Sequence, residues 1–228
     1  MKPNLSKSNL VAVAAAVVMF ALFCSGATPA QSKAPAQSKA NDKSAAPSSA
    51  DKKSRSVGPA LSGPAASMDR KVDALEANAV RNPPRRMSTD LTEAEINAYI
   101  NSPAVKLPAG VHSPHLTGMD SNVTGTANVD FDQIKAGRSS SNPLLGLFSG
   151  THDVKVKVRG IGTNGQANVD VESVEIDGVS VPRMALEFFI DRYLKPKYPE
   201  IGMHSTFRMP DRIDTAVVGS HVLTLVQK

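Results

Sequence analysis

The chain has 228 residues, with 26 Lys and Arg against 21 Asp and Glu, no Trp, and one cysteine, Cys24. Its net charge of +5 is unevenly placed: eight basic and two acidic side chains precede Met68, which leaves 18 and 19 in residues 68–228. A near-neutral body lacks the electrostatic footprint of a nucleic-acid binder, and a lone cysteine excludes a disulfide framework or a cysteine-based metal site.

Lys2 and Lys7 precede LVAVAAAVVMFALF, Leu10 to Phe23, an unbroken apolar run of 14 residues. A membrane span takes about 20 such residues, so the run has the length of a secretory h-region instead. Small residues follow at Ser25-Gly26-Ala27 and Thr28-Pro29-Ala30. Residues 1–30 are therefore predicted to be a signal peptide, and the protein to be exported to the periplasm or cell envelope. Acylation of Cys24 is the disfavoured alternative, because Phe23 stands where a lipobox carries a small residue.

Residues 31–67 are Ala, Ser, Lys and Pro, with QSKA written twice. So little apolar surface does not repay the entropy of ordering, which predicts a disordered linker. Its positive charge suits contact with an anionic envelope surface. Residues 68–86 are read as a short helix and linker. Met68, Val72, Leu75 and Ala79 fall on one helical face, and Pro83-Pro84 ends it.

Residues 87–228 are predicted to form one α+β domain. Thr92-x-x-Glu95 is a capping box, and Leu91 with Ile96 supplies the hydrophobic staple of a helix over Glu93–Asn101. The His112-Ser113-Pro114-His115 pair sits among Thr and Gly, which predicts a loop. Pro114 rules out a helical ligand pair, so no metal site is expected. Val123 to Phe131 alternates with period two and reads as a half-buried antiparallel strand. Asp130 and Asp132 on it are expected to pair across to basic strand neighbours. Val154, Val156 and Val158 alternate with Lys155, Lys157 and Arg159. From Gln166 to Ile176 the apolar set changes phase between Val171 and Val174, which predicts a bulge near Glu172-Ser173. Asp177-Gly178 marks a tight turn.

GTANVDF at Gly125 returns as GQANVDV at Gly165, 40 residues later. The two copies are expected to be equivalent strands of one curved sheet, with small inward residues at Gly125, Ala127, Gly165 and Ala167. After Pro182, RMALEFFIDRYLK from Arg183 to Lys195 is apolar around most of its circumference. A helix of this kind must be widely covered. Two final strands are predicted at Ile213–Val218 and His221–Val226.

The predicted fold class is α+β: a strongly curved antiparallel sheet packed on one main apolar helix, with a shorter N-terminal helix alongside. No nucleophile, phosphate loop or zinc motif is written in the chain, so neither catalysis nor a cofactor is expected. NPLLGLFSG, Asn142 to Gly150, places four large apolar residues in a Gly- and Ser-rich connection. Read as the lip of a groove, it gives a ligand site of Leu144, Leu145, Leu147 and Phe148 over a floor of Phe188, Phe189 and Ile190.

Several segments, taken in order over about Met87 to Lys228, carry a resemblance. They are LTEAEINAYI, VDFD, LLGLFSG, VKVKVRG, GQANVDVESVEIDGVSVP leading into an apolar helix, and FRMPDRI with VVGSHVLTLVQ. The pattern resembles small exported bacterial proteins that look like single modules of the tubular lipid-binding superfamily. That resemblance implies a curved sheet wrapped on a helix, with an apolar channel for acyl chains. The expected function is binding of a lipid or other apolar ligand in the sheet–helix groove. The alternative is a non-enzymatic envelope interaction module with no ligand.

Overall fold

The computed structural model describes residues 61–135, 148–196 and 199–228. The predicted leader, most of the linker, and Leu144, Leu145 and Leu147 lie outside the described residues. The sheet is organised around its longest strand, β4, Thr151–Thr163. Val154, Val156 and Val158 turn inward and are buried, while Lys155, Lys157 and Arg159 face solvent. Along one edge, Thr151 to Arg159 pair with β3, Asn122–Asp130, which pairs in turn with β2, Val111–Met119. Along the other edge, Val154 to Thr163 pair with β5, Gln166–Ile176. β5 carries β6, Val179–Ser180, and β7, His204–Arg208, at its two ends. Past β3, the end of β4 meets β8, Ile213–Val218, through Gly162 and Ala216. β9, Val222–Gln227, and β1, Met87–Thr92, complete nine antiparallel strands among the described residues.

The phase change in β5 is a bulge. Lys157 pairs with Ser173 and Val158 with Val171, so Glu172 is the extra residue. Turned outward, its carboxylate receives Lys157 and Arg159, each at 3.1 Å. The repeated heptapeptide supplies β3 and β5, the two strands that flank β4. Its copies are not equivalent at their first residue. Gly125 pairs with Val156 within the strand, whereas Gly165 (φ +75°) joins Asn164 (φ +53°) in the β4–β5 turn. Two successive positive φ values are what a two-residue hairpin turn requires. Gly162 is needed for a different reason: a Cβ there would lie 2.7 Å from the Ala216 Cβ and 2.9 Å from its backbone N.

The first helix, α1, spans Gly63–Ala79 and takes in residues that composition assigned to the linker. Met68, Val72 and Leu75 make it pack, since all three are buried. It lies against α2, Glu93–Ile100, and β1. The capping box of α2 is present, and Glu95 does more than cap. Beyond Thr92, its carboxylate receives the Ser67 hydroxyl at 2.6 Å and the Lys71 ammonium at 2.7 Å, both from α1. A second tie is buried. Gln227, at 0 % exposure, donates to the Leu75 and Asp211 carbonyls and accepts from Asn78 at 3.0 Å.

Three local expectations are corrected. His112 to His115 lie in strand β2, not a loop, with a bulge between them where Ser113 takes φ +49°. Both imidazoles are exposed there, and no group of three His, Cys, Asp or Glu is placed to hold a metal among the described residues. β3 stops at Asp130, and Phe131 opens a short helix, α3, Phe131–Lys135. The Asp130 carboxylate accepts the Asp132 and Gln133 backbone N–H groups at its start, so it caps rather than pairs across strands. Finally, Arg183–Lys195 is not one main α-helix. It is a seven-residue helix, α4, Arg183–Phe189, continued by a π-turn over Ile190–Leu194, and α1 is longer. The wider turn lets Ile190, Tyr193 and Leu194 all point inward and become buried.

Burial pushes the Glu95 carboxyl upward, but hydrogen bonds from Lys71, Ser67 and Thr92 outweigh it and bring it down to about 2. A depressed folded value means the unfolded chain binds the proton first as pH falls. The stabilisation is complete above pH 4.5 and is lost as pH falls toward 2. Glu95→Gln is expected to cost about 2 kcal/mol at pH 7. Urea unfolding of both proteins should show that difference shrinking below pH 4.5.

Candidate functional site

The turn after β3 builds one wall of an apolar cleft. The Phe131 N–H donates to the Gly150 carbonyl at 2.9 Å, and the Gly150 N–H donates to the Asp132 carboxylate at 3.1 Å. These bonds hold Phe148 against Phe131, edge to face at 5.4 Å. Phe189 comes down from α4 onto both rings. It stacks on Phe148 at 4.3 Å and meets Phe131 edge-on at 5.8 Å. Tyr193 lies beside Phe189 at 5.2 Å. Val154 and Val156 of β4, Val171 and Val174 of β5, and Leu186 and Ile190 of the helical segment complete the lining with Ile201 and Met203. The enclosed volume is about 40 Å³.

Of the residues the sequence proposed, this cleft brings together Phe148, Phe189 and Ile190. Leu144, Leu145 and Leu147 lie outside the described residues. Phe188 is a correction: it points outward and is 41 % exposed. Adjacent helical residues project about 100° apart, so Phe188 and Phe189 cannot both face the sheet. The sequence reading missed Phe131, taken as the last residue of a strand, because its role depends on the helix that Asp130 starts.

A second cleft lies farther along the same inner face of β4. Val154 and Val156 line the first cleft, Val158 is fully buried between the two, and Gly160 and Gly162 line the second. Ile96, Leu116, Val123, Val169, Val218 and Leu223 are among its other walls, around about 60 Å³. Its lining includes the ion-paired Glu93 and His221. The Glu93 carboxylate meets the His221 Nδ1 at 2.7 Å and accepts the Gly118 N–H at 3.2 Å. The Gly and Ala residues at Gly160, Gly162 and Ala167 were the legible signal for this space.

Two polar groups sit beside the aromatic cleft. His152 places Nδ1 2.5 Å from the Asp177 carboxylate and Nε2 2.7 Å from the Ser149 carbonyl. Both partners only accept, so the imidazole satisfies them together only when doubly protonated. Asp177 foremost, then Ser149, raises the His152 pKa above its ordinary value. The Tyr193 hydroxyl, in contrast, is buried with no hydrogen-bond partner. No family model, curated protein or solved structure matches the chain.

A raised His152 pKa adds stability that is present below pH 6.5 and lost as pH rises through the folded value. Thermal melts are therefore expected to fall between pH 6 and 8 by more in the wild type than in His152→Gln. Tyr193→Phe removes an unsatisfied hydroxyl and is expected to leave stability unchanged or raise it by up to about 1 kcal/mol, read from urea denaturation.

Proposed function

We propose that this is an exported, non-catalytic protein that binds a lipid or other apolar ligand between the inner face of β4–β5 and the helical segment Arg183–Leu194. The observation that carries the reading is the cleft of Phe131, Phe148, Phe189 and Ile190, lined by apolar side chains on a large antiparallel sheet. Ligand sites are typically concave and mostly apolar, and the side chains that line this cleft are apolar. The resemblance to tubular lipid-binding modules points to the same ligand class. A volume of about 40 Å³ admits little more than the tip of an apolar group. A longer chain requires the helix to shift outward, and the π-turn at Ile190 is where the helical hydrogen-bond pattern already changes.

The small volume of both clefts also favours a second reading, a non-enzymatic envelope interaction module with a filled core. Native mass spectrometry of the exported protein, followed by organic extraction, separates the two. The ligand reading expects a co-purifying lipid near one per chain, and saturable uptake of a fluorescent fatty acid. Val171→Phe, which fills the cleft from a partly buried position, is expected to weaken that uptake at least about tenfold. A clean apo mass without probe uptake, or unchanged uptake by the variant, would move the assignment to the interaction module.

A further inference from the structure

The helix that closes the aromatic cleft exposes two large apolar side chains on its outer face, among the ion pairs Arg183–Glu187 and Lys195–Asp191. Met184 is 70 % exposed, and Phe188, one helical turn later on the same face, is 41 % exposed. Val179, in the short strand that feeds the helix, is 65 % exposed. Scattered apolar side chains on a surface are ordinary. These three border the segment whose next residues, Phe189 and Ile190, line the cleft. They present on the order of 300 Å², well short of the ~800 Å² per partner that a stable protein interface buries. Protruding side chains that enter the acyl boundary of a membrane need no such complementary surface.

Charge selects the same occupant. Residues 31–60, which follow the predicted signal peptide, hold six basic and two acidic side chains, and residues 61–228 hold 18 and 19. The attraction to an anionic surface therefore lies in residues 31–60, because the charges beside Phe188 pair with one another, Arg183 with Glu187 and Lys195 with Asp191. A single weak signal gives marginal, reversible membrane binding, whereas two together hold a protein there.

We propose that Val179, Met184 and Phe188 form a membrane-docking edge that inserts into an anionic lipid surface, with the basic linker residues 31–60 supplying the long-range attraction. The edge brings the aromatic cleft to the lipid from which a ligand would be drawn, and in that respect it rests on the apolar-ligand reading.

The absence of Trp makes position 188 a clean reporter. Phe188→Trp, purified as the exported protein without its leader, is mixed with phosphatidylcholine–phosphatidylglycerol vesicles, with or without brominated acyl chains. Its emission is expected to shift to the blue, and the brominated lipid is expected to quench about half of it. Met184→Ser in that background should cut the quenching at least about threefold. Val80→Trp, at the end of α1 and 85 % exposed, should show neither effect. Emission at 188 that stays unquenched overturns the proposal, whether or not the protein sediments with the vesicles. Equal quenching at position 80 overturns it too, as does a concentration-dependent shift without vesicles, which would assign the edge to a second copy of the chain. Loss of fatty-acid uptake with intact quenching removes the ligand reading alone; intact uptake without quenching removes the docking edge alone.

Discussion

Thirteen residues of β4 must serve three partner strands while presenting one unbroken face to the core. Most other features of the sheet follow from that constraint. Side chains alternate with a strict period of two, so a slip of one residue on either edge would turn valines to solvent and lysines inward. The β5 edge meets the constraint by bulging at Glu172, which restores the inward phase for Val174 and Ile176. The β8 edge meets it by steric means, because only glycine at 162 lets the Ala216 backbone approach.

The two polar ties at the opposite end work on a different principle. A capping glutamate is ordinarily a local device that satisfies N–H groups of its own helix. Glu95 also takes up Ser67 and Lys71, so helix capping and the docking of α1 share one carboxylate. Gln227 of β9 adds a fully buried amide with two contacts to α1 and one to the turn before β8. Buried polar groups of this kind stabilise only when every member is paired, and so they define one arrangement of the helix on the sheet. Among the described residues, the aromatic end shows no equivalent buried tie. Its packing rests on ring contacts, the doubly accepted His152 and a helix that loosens into a π-turn. The part of the fold best able to rearrange around an apolar ligand is thus the part that carries the cleft.

Much of this architecture was legible because it depends on neighbours along the chain. The capping box of α2, the bulge at Glu172, the tight turn at Asp177-Gly178 and the final hairpin follow from spacing and turn chemistry within a few residues. The start of α1 was misplaced because Gly63 to Ser67 carry a linker composition, and only their packing through Ala65 and Met68 makes them helical. His112 and His115 were misread as loop because a proline between them hides a bulged strand.

By itself the sequence determined the α+β class, the large antiparallel sheet, the alternation that makes one face apolar, and the location of the positive charge in the N-terminal segment. Those properties are sums over local preferences, and local preferences can be read residue by residue. Tertiary structure decided which apolar residues share a space. It turned Phe188 out and Phe189 in, recruited Phe131 from an expected strand, and buried Gln227, a residue whose chemistry alone would leave it in water. The reason is geometric: helical phase, the stop of a strand and the partners of a buried amide are fixed by elements far apart in the chain, and no window along it contains them.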